Sequence, residues 1–313
     1  IYPGCKLELG HKVSGKLNFP RRVATTMLTS ATREYYQEFV EKIMKALEER
    51  RIRAPVFILK ADGGTLPVEK SIEFPVETIF SGPAASTIGA LALTPQDQTS
   101  VVVDIGGTTT DLALILSGKP LLASKGAKLG GFLTHVRAFA VRSIAVGGDS
   151  VVRVRESDTG EKILTIGPDR AGPACCMGGE ETTPTDALNV LGLINVGNPE
   201  LSSKAIKATA SELGKSEAET AALIVDKAAQ MIADAVNEMF LEWEQEPAYR
   251  VWEVLQEKKA RPENVVGIGG GAKGLIAGIA KKLSAKPVTP EYAEVGNAIG
   301  AAIARPTLTI NLH

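Results

Sequence analysis

Residues 101–116 read VVVDIGGTTTDLALIL, and this stretch decides the fold. Two short apolar runs flank a polar centre, which is the pattern of two strands separated by a glycine turn. The second run ends after few residues at Ser117-Gly118-Lys119-Pro120, so a helix is not expected there. The stretch therefore predicts a β-hairpin with polar groups at its tip, rather than a strand–loop–helix nucleotide loop.

The tip of this hairpin has the composition of an anion site. Gly106 and Gly107 allow a tight turn and leave bare N–H groups for an anion, while Thr108, Thr109 and Thr110 add hydroxyl donors. Asp104 repels a phosphate directly, so its expected role is to hold Mg²⁺, which would bridge to phosphate oxygens. The alternative is a β-turn that uses glycine and threonine for conformational reasons alone.

Size and composition describe an ordinary globular protein. The chain has 313 residues, of which 44% are hydrophobic and 23% charged, which is enough for a sizeable core and two domains or subdomains. The formal net charge of −1 gives no global attraction to nucleic acid or membrane. Three cysteines, with Cys175 and Cys176 adjacent, form no disulfide framework and favour a reducing, cytoplasmic location. No apolar run reaches the length of a membrane span.

Two further glycine segments follow apolar runs. Residues 146–150 (VGGDS) end a predicted strand and are expected to form a second wall of the same anion pocket. Residues 265–280 read as strand, glycine turn and helix, in which Gly269, Gly270 and Gly271 let a flat or anionic group approach the backbone. A dinucleotide site would need this motif in the first βαβ unit, so an adenosine-contacting loop is the better interpretation.

The remaining pattern gives the framework. A helix is predicted at about 32–51 and a buried strand at 55–59, followed by a polar loop at 60–65 that either faces a ligand or is a simple turn. Helices at 81–92 and 294–304 consist of unusually small residues. Glycine inside a helix costs about 1 kcal/mol of propensity, so we expect these helices to cross closely at a hinge between two lobes.

Several other residues leave alternatives open. Asp186 is either an ordinary first-turn helix residue or a site contact. His135 is either structural or orients a reactive group. The segment 244–261 is expected to be a surface hairpin that offers Trp252 to a partner. The chain begins at Ile1 and ends in what looks like an interrupted strand, so we expect a fragment of a longer polypeptide.

Five segments match the landmarks of a known family in order. They are residues 81–85 (SGPAA), 104–111 (DIGGTTTD), 146–150 (VGGDS), 167–175 (GPDRAGPAC) and 184–187 (PTDA). On these motifs the chain resembles the hydantoinase A domain of the hydantoinase A/5-oxoprolinase family, in the acetate/sugar kinase–Hsp70–actin superfamily. The resemblance covers nearly the whole chain.

The resemblance implies a fold and a division of the chain. The fold is α/β, of the ribonuclease H-like/actin-like ATPase kind, with mixed five-stranded sheets flanked by helices. Residues 1–93 would be the remainder of the first lobe with a linking helix. Residues 94–313 would be the nucleotide-binding second lobe.

The resemblance also implies site residues and cofactors, namely ATP and Mg²⁺. Asp104 and Asp111 are the expected catalytic carboxylates, and Asp104 is the expected metal ligand. The expected nucleotide-binding residues are Gly106, Gly107, Thr108, Thr109, Gly147, Gly148, Asp149, Gly269, Gly270, Gly271, Ala272 and Lys273.

The implied activity is ATP-dependent opening of a cyclic amide of the hydantoin or 5-oxoproline type, through phosphorylation of the ring carbonyl. One alternative is a carboxylase subunit of the acetone-carboxylase kind, and another is an ATP-switched reactivating or chaperone-like protein. The implied partners are a cyclic amide, a hydantoinase B-like subunit and an N-terminal domain of the same chain. No Asp-x-Gly-Gly-Thr motif precedes residue 101, so we expect the 313-residue chain alone to bind nucleotide weakly and turn over poorly.

Overall fold

The computed structural model describes residues 7–94, 97–245 and 260–307. Most of the predicted hairpin at 244–261, including Trp252, and the predicted strand at 308–313 lie outside these residues. The chain divides into two compact units. Within the described ranges, unit 1 contains 7–88, Leu121–Val141 and 298–307, and unit 2 contains Gly89–Pro120 and Arg142–Asn297.

This division differs from the single boundary expected between residues 93 and 94, because the chain returns to unit 1 twice. The assignment of the two units to lobes of an ATPase stays a prediction.

The described residues contain the following α-helices, numbered in chain order. They are α1 Gly10–Val13, α2 Phe19–Glu49, α3 Val68–Ser71, α4 Ser81–Leu93, α5 Pro184–Val190, α6 Pro199–Leu213, α7 Glu217–Gln245, α8 Ala272–Lys282 and α9 Gly296–Ile303. Short 3-10 helices lie at Pro75–Thr78, Cys175–Met177 and Ala293–Val295. None of the described helices combines the length and the hydropathy needed to cross a lipid bilayer.

The strands are short and are numbered in the same way. They are β1 Phe57–Leu59, β2 Thr65–Pro67, β3 Ser100–Ile105, β4 Thr110–Leu116, β5 Lys119–Pro120, β6 Lys128–Leu129, β7 Phe132–Leu133, β8 Val141–Ile144, β9 Val152–Glu156, β10 Lys162–Ile166, β11 Asn264–Ile268 and β12 Lys286–Val288.

A mixed sheet forms the centre of unit 2. Its strand order is β12-β11-β3-β4-β5, and β8 pairs with β4, so this sheet has six strands rather than the expected five. Strand β11 runs parallel to β3 and β12, whereas β3 and β4 are antiparallel. Strands β3, β4 and β11 are almost entirely buried, which explains their nearly continuous apolar sequence.

The predicted hairpin at 101–116 is confirmed as β3 and β4, and the predicted strand–turn–helix at 265–280 is confirmed as β11 and α8. Both small-residue helices also form, as α4 and α9. Each carries the chain from one unit to the other. Their close crossing stays a prediction.

The helix expected at about 32–51 begins much earlier, at Phe19, and ends at Glu49. Its start is set by Asn18, whose side chain accepts a hydrogen bond from the N–H of Arg21 at 3.2 Å, and by Pro20 in the first turn. Pro20 looks like a break in the sequence, but proline is favoured at this position because its missing N–H is not needed there. The strand expected at 55–59 is reduced to Phe57–Leu59.

Candidate functional site

The end of the β3–β4 hairpin forms the centre of the candidate site. The register places Asp104 opposite Asp111 and Ile105 opposite Thr110, which leaves Gly106–Thr109 as the connecting loop. The N–H of Gly106 donates to the carbonyl of Thr109 at 3.0 Å and closes the loop.

A second loop holds this corner in a fixed orientation. The N–H groups of Gly148 and Asp149 donate to the carbonyls of Gly106 and Gly107, at 2.9 and 2.7 Å. A Cβ on Gly147 would lie 2.5 Å from the carbonyl oxygen of Gly107, so only glycine permits this approach.

The same contacts decide where the N–H groups of the corner point. In a trans peptide the C=O and the following N–H point in opposite directions. Because the carbonyls of Gly106 and Gly107 face the 147–149 loop, the N–H groups of Gly107 and Thr108 face the other way. Two adjacent backbone donors are therefore displayed together on one side of the corner, which is the arrangement of an anion-binding nest.

The loop at 147–149 supports the corner instead of presenting its own amides. The N–H of Gly147 donates to the Ser150 hydroxyl at 2.8 Å, and the next two N–H groups are taken by the corner carbonyls. These three amides thus already have protein acceptors. Direct contact of Gly147, Gly148 and Asp149 with a nucleotide stays a prediction.

The third glycine loop lies at the same edge of the sheet. Ile268, the last residue of β11, is paired with Asp104 in the register, so the following glycines lie beside the corner. The N–H of Gly271 donates to the carbonyl of Ile105 at 3.2 Å. Gly269 has φ +86°, and a Cβ there would lie 2.5 Å from Asp104 Oδ1. The structure thus brings all three predicted loops together.

Helix α8 begins directly after this loop. Its N-cap residue, Gly271, has no capping side chain, so first-turn N–H groups remain for an anionic or polar group. The side chain of Lys273 is exposed, whereas that of Ala272 is fully buried. Ala272 could therefore meet a nucleotide only through its backbone, and the adenosine role of 269–273 stays a prediction.

The paired carboxylates of Asp104 and Asp111 suit a divalent cation. Directly opposite residues of an antiparallel pair have Cβ atoms about 5 Å apart on one face of the sheet. Burial raises the pKa of Asp111, a hydrogen bond from Ser143 opposes this, and the charge of Asp104 raises it further. A cation between the two would relieve this repulsion.

The wider donor set fits magnesium better than a closed metal site. In the part of the chain that the structure describes, no three His, Cys, Asp or Glu side chains are grouped to hold a metal. Mg²⁺ is commonly held by one or two carboxylates together with water and substrate phosphates. Asp104 and Asp111 would supply the protein's share of such a shell.

The raised pKa of Asp111 predicts a pH-dependent cost of keeping this carboxylate charged. We expect Asp111→Asn to make the ligand-free chain more stable than wild type at pH 7. The stability advantage of Asp111→Asn should disappear as the pH falls below 3.8, the ordinary pKa of aspartate. Asp111 is then protonated in the folded and the unfolded wild-type chain, so it is as neutral as asparagine. Urea unfolding of both proteins between pH 3 and pH 8 measures this, and an equal difference at every pH would contradict it.

Arg170 is a site residue that the sequence analysis did not identify. Its guanidinium donates to Asp149 Oδ2 at 2.8 Å and to the Thr108 hydroxyl at 3.2 Å. It therefore lies beside the Gly106–Thr109 corner and bridges it to the 147–149 loop. The available signal was an arginine inside the family landmark at 167–175, but nothing in the sequence connects that landmark to Thr108.

We expect Arg170→Met to weaken Mg-ATP binding about tenfold, because a charge-assisted contact is worth about 1.5–3 kcal/mol. The variant also leaves the negative charge of Asp149 uncompensated beside the phosphates. Arg153→Met is the matched control, since Arg153 pairs with Asp169 at 2.8 Å on an exposed surface. NMR titration of the three proteins with Mg-ATP measures the effect, and equal affinities would exclude Arg170 from the site.

One residue with open alternatives is assigned by its contacts, and a second is placed in its unit. Asp186 is fully buried, and its carboxylate accepts hydrogen bonds from the N–H groups of Cys175, Cys176 and Thr183. It completes a capping box with Thr183 at the start of α5, so it is structural. His135 belongs to unit 1, whereas the three glycine loops belong to unit 2.

Comparison with known proteins finds a matching family model and similar solved structures. Residues 22–310 match the family model described as Hydantoinase/oxoprolinase. The acetone carboxylase beta subunit of Xanthobacter autotrophicus is 30% identical over 184 residues, which cover 56% of this chain and 25% of that protein.

Two solved structures share the fold over almost the whole chain. Nucleotide-free acetone carboxylase is 25% identical with a TM-score of 0.72, covering 92% of this chain and 41% of that chain. The ATP-dependent caprolactamase of Pseudomonas jessenii is 23% identical with a TM-score of 0.73, and the match covers 94% of this chain and 43% of that chain. The predicted α/β fold of the actin-like ATPase kind is confirmed. This chain spans less than half the length of each of these relatives.

Proposed function

The chain belongs to the hydantoinase/oxoprolinase family, and from that premise we propose that it carries an ATP-binding part of an enzyme that opens a cyclic amide. The single observation that supports this most strongly is the corner at Gly106–Thr109. Its two outward N–H groups, the neighbouring Asp104 and Asp111, and the glycine loop before α8 lie at one edge of the sheet.

Each part has a role in binding Mg-ATP. The N–H groups of Gly107 and Thr108 donate hydrogen bonds to phosphate oxygens, and Arg170 adds a positive charge beside them. Asp104 and Asp111 hold Mg²⁺, which supplies charge neutralisation between phosphate groups when bound. Gly270, where a Cβ would meet nothing within 4 Å, leaves open space for the nucleoside at this loop.

The proposed chemistry is activation of an amide carbonyl. The amide oxygen attacks the γ-phosphorus of ATP, the bond to the β-phosphate oxygen breaks, and ADP leaves. Water then adds to the activated carbon, the ring C–N bond breaks, and the nitrogen takes up a proton. A second water releases phosphate from the resulting acyl phosphate.

A carboxylase is the second candidate. It is favoured by the acetone carboxylase beta subunit, which is 30% identical, and by the acetone carboxylase structure that covers 92% of this chain. In that reaction ATP would activate a ketone and bicarbonate rather than an amide. The nucleotide site would be the same, so the two candidates differ only in the substrate part of the enzyme.

The remaining parts of the enzyme are also proposed. The chain covers 41% and 43% of the two similar solved chains, so further domains of the same polypeptide are expected to complete the site. A hydantoinase B-like partner subunit and a cytoplasmic location complete the proposal.

The test uses the full-length polypeptide with its partner subunit. ADP release is followed with hydantoin, 5-oxoproline or caprolactam, and separately with acetone and bicarbonate. The proposal expects a cyclic amide to stimulate ADP release together with ring opening detected by mass spectrometry. Stimulation only by ketone and bicarbonate would establish the carboxylase, and nucleotide-dependent binding of a protein without product would exclude both.

A further inference from the structure

Thr185 makes two hydrogen bonds to the loop that supports the Gly106–Thr109 corner. Its N–H donates to the carbonyl of Gly148 at 2.9 Å, and its hydroxyl donates to the same oxygen at 2.8 Å. A carbonyl oxygen has two lone pairs, so one residue supplies donors for both. A Cβ on Gly148 would lie 2.7 Å from Thr185 Oγ1, so this close approach depends on glycine.

The start of α5 fixes the position of Thr185. The residue directly precedes Asp186 in the first turn, and the capping box of Thr183 and Asp186 holds that turn. The Asp186 carboxylate is fully buried and also accepts a hydrogen bond from the Ser202 hydroxyl at 2.8 Å. The Thr185 hydroxyl is therefore held by the interior of unit 2.

The peptide group that Thr185 contacts leads to the corner. This peptide joins Gly148 to Asp149, and the N–H of Asp149 donates to the carbonyl of Gly107 at 2.7 Å. The Gly107 carbonyl belongs in turn to the peptide whose N–H is that of Thr108, and this N–H points away from the loop. Two linked peptide groups thus connect Thr185 with one of the two outward N–H groups of the corner.

The other outward N–H group, that of Gly107, lies at the end of a separate path. The N–H of Gly148 donates to the carbonyl of Gly106 at 2.9 Å. The peptide that carries this N–H accepts at its own carbonyl, that of Gly147, from the N–H of Ser150 at 3.2 Å. This second path contains no residue of α5.

We propose that Thr185 is a positioning residue that orients and polarises the N–H of Thr108 for a phosphate oxygen of ATP. Hydrogen bonds in a chain strengthen one another by about 10–30% per bond. The Thr108 N–H is therefore a stronger donor, and it needs no reorientation when the phosphate arrives. The proposal rests on the proposed function, because the phosphate is that of the Mg-ATP bound at this corner.

Amide proton chemical shifts of the 313-residue chain test this connection without nucleotide. In Thr185→Ala the signal of Asp149, and to a smaller extent that of Thr108, should move upfield because both peptides lose polarisation. The signal of Gly107 should stay in place. Thr185→Ser restores the hydroxyl alone, so it should return both signals toward their wild-type positions. A Thr108 signal that does not move would overturn the proposal, as would equal movement of Gly107 and Thr108, which indicates a general loosening of the loop.

Thr165→Ala is the matched control for the loss of a hydroxyl. Thr165 is half-buried in unit 2, as Thr185 is, and its hydroxyl donates to the carbonyl of Arg153 at 3.2 Å within the β9–β10 hairpin. The control variant should leave the amide signals of Asp149 and Thr108 unchanged. Movement as large as in Thr185→Ala would overturn the proposal.

Mg-ATP titration of the same samples measures the effect on binding. Thr185→Ala should bind Mg-ATP about two- to threefold more weakly than wild type, because one of several phosphate donors is weakened. Equal affinities of the two would overturn the positioning role. A wild-type chain that binds no Mg-ATP would contradict the proposed function instead, and the amide signals would still decide whether Thr185 polarises Thr108.

A measurement on the wild-type chain replaces the variant should Thr185→Ala fail to fold. Scalar couplings across hydrogen bonds should be detected from the Thr185 nitrogen to the Gly148 carbonyl carbon, and from the Asp149 nitrogen to the Gly107 carbonyl carbon. Absence of either coupling would overturn the proposal.

Discussion

Asp104→Asn should weaken binding of Mg-ATP to this chain by about 10- to 100-fold, since a contact with a charged group is worth about 1.5–3 kcal/mol. The substitution keeps the shape of the side chain but removes the charge that holds the metal. When EDTA removes the metal, the affinity of the variant for ATP should be similar to that of wild type or higher, because one negative charge that repels the phosphates has been removed. NMR titration suits this measurement, because the expected affinity of the isolated chain is weak.

Asp234→Asn is the matched control for this experiment. Asp234 lies exposed on α7 and accepts a hydrogen bond from Gln230 within the same helix. The Asp234→Asn variant should bind Mg-ATP as wild type does. If Asp104→Asn also binds Mg-ATP like wild type, then Asp104 is not a ligand of the metal.

Gly269→Ala should destabilise the chain by roughly 3 kcal/mol, because backbone strain and overpacking each cost about 1–3 kcal/mol. Gly269 has φ +86°, a conformation that alanine adopts with strain. The added Cβ would also lie 2.5 Å from Asp104 Oδ1 and 2.7 Å from the carbonyl oxygen of Ile105. The collision is with the carboxylate that we propose as the metal ligand, so Mg-ATP binding should be lost together with stability.

Gly270→Ala gives the comparison at the next residue. A Cβ on Gly270 meets nothing within 4 Å, so this variant should unfold in urea at nearly the same concentration as wild type. Equal destabilisation by the two substitutions would show that the loop is held differently from the arrangement described for Gly269 and Asp104.

The sequence predicted those parts of the site that depend on local pattern. The apolar runs on either side of Gly106 and Gly107 predicted the β3–β4 hairpin, because strand and turn signals lie within a few neighbouring residues. The glycine turn before α8 was found for the same reason. The resemblance to the family implied that the three loops belong to one site, and the sheet register and the loop hydrogen bonds bring them to one edge.

What the sequence did not predict depends on tertiary contacts. Arg170 reaches Thr108 across 62 residues, and no periodicity or spacing records that contact. The 147–149 loop gives its amides to the carbonyls of Gly106 and Gly107, which could not be known without the register. The early start of α2 at Phe19 was missed because Pro20 resembles a break unless Asn18 is recognised as the cap.

The most direct test of the nucleotide site is a crystal structure of this chain with Mg²⁺ and a non-hydrolysable ATP analogue. The predicted result places a phosphate oxygen within hydrogen-bond distance of the N–H groups of Gly107 and Thr108. It also places Mg²⁺ at Asp104 and the nucleoside against Gly269–Gly271. Density for the triphosphate elsewhere in the molecule, with this corner bound to no phosphate, would contradict the account.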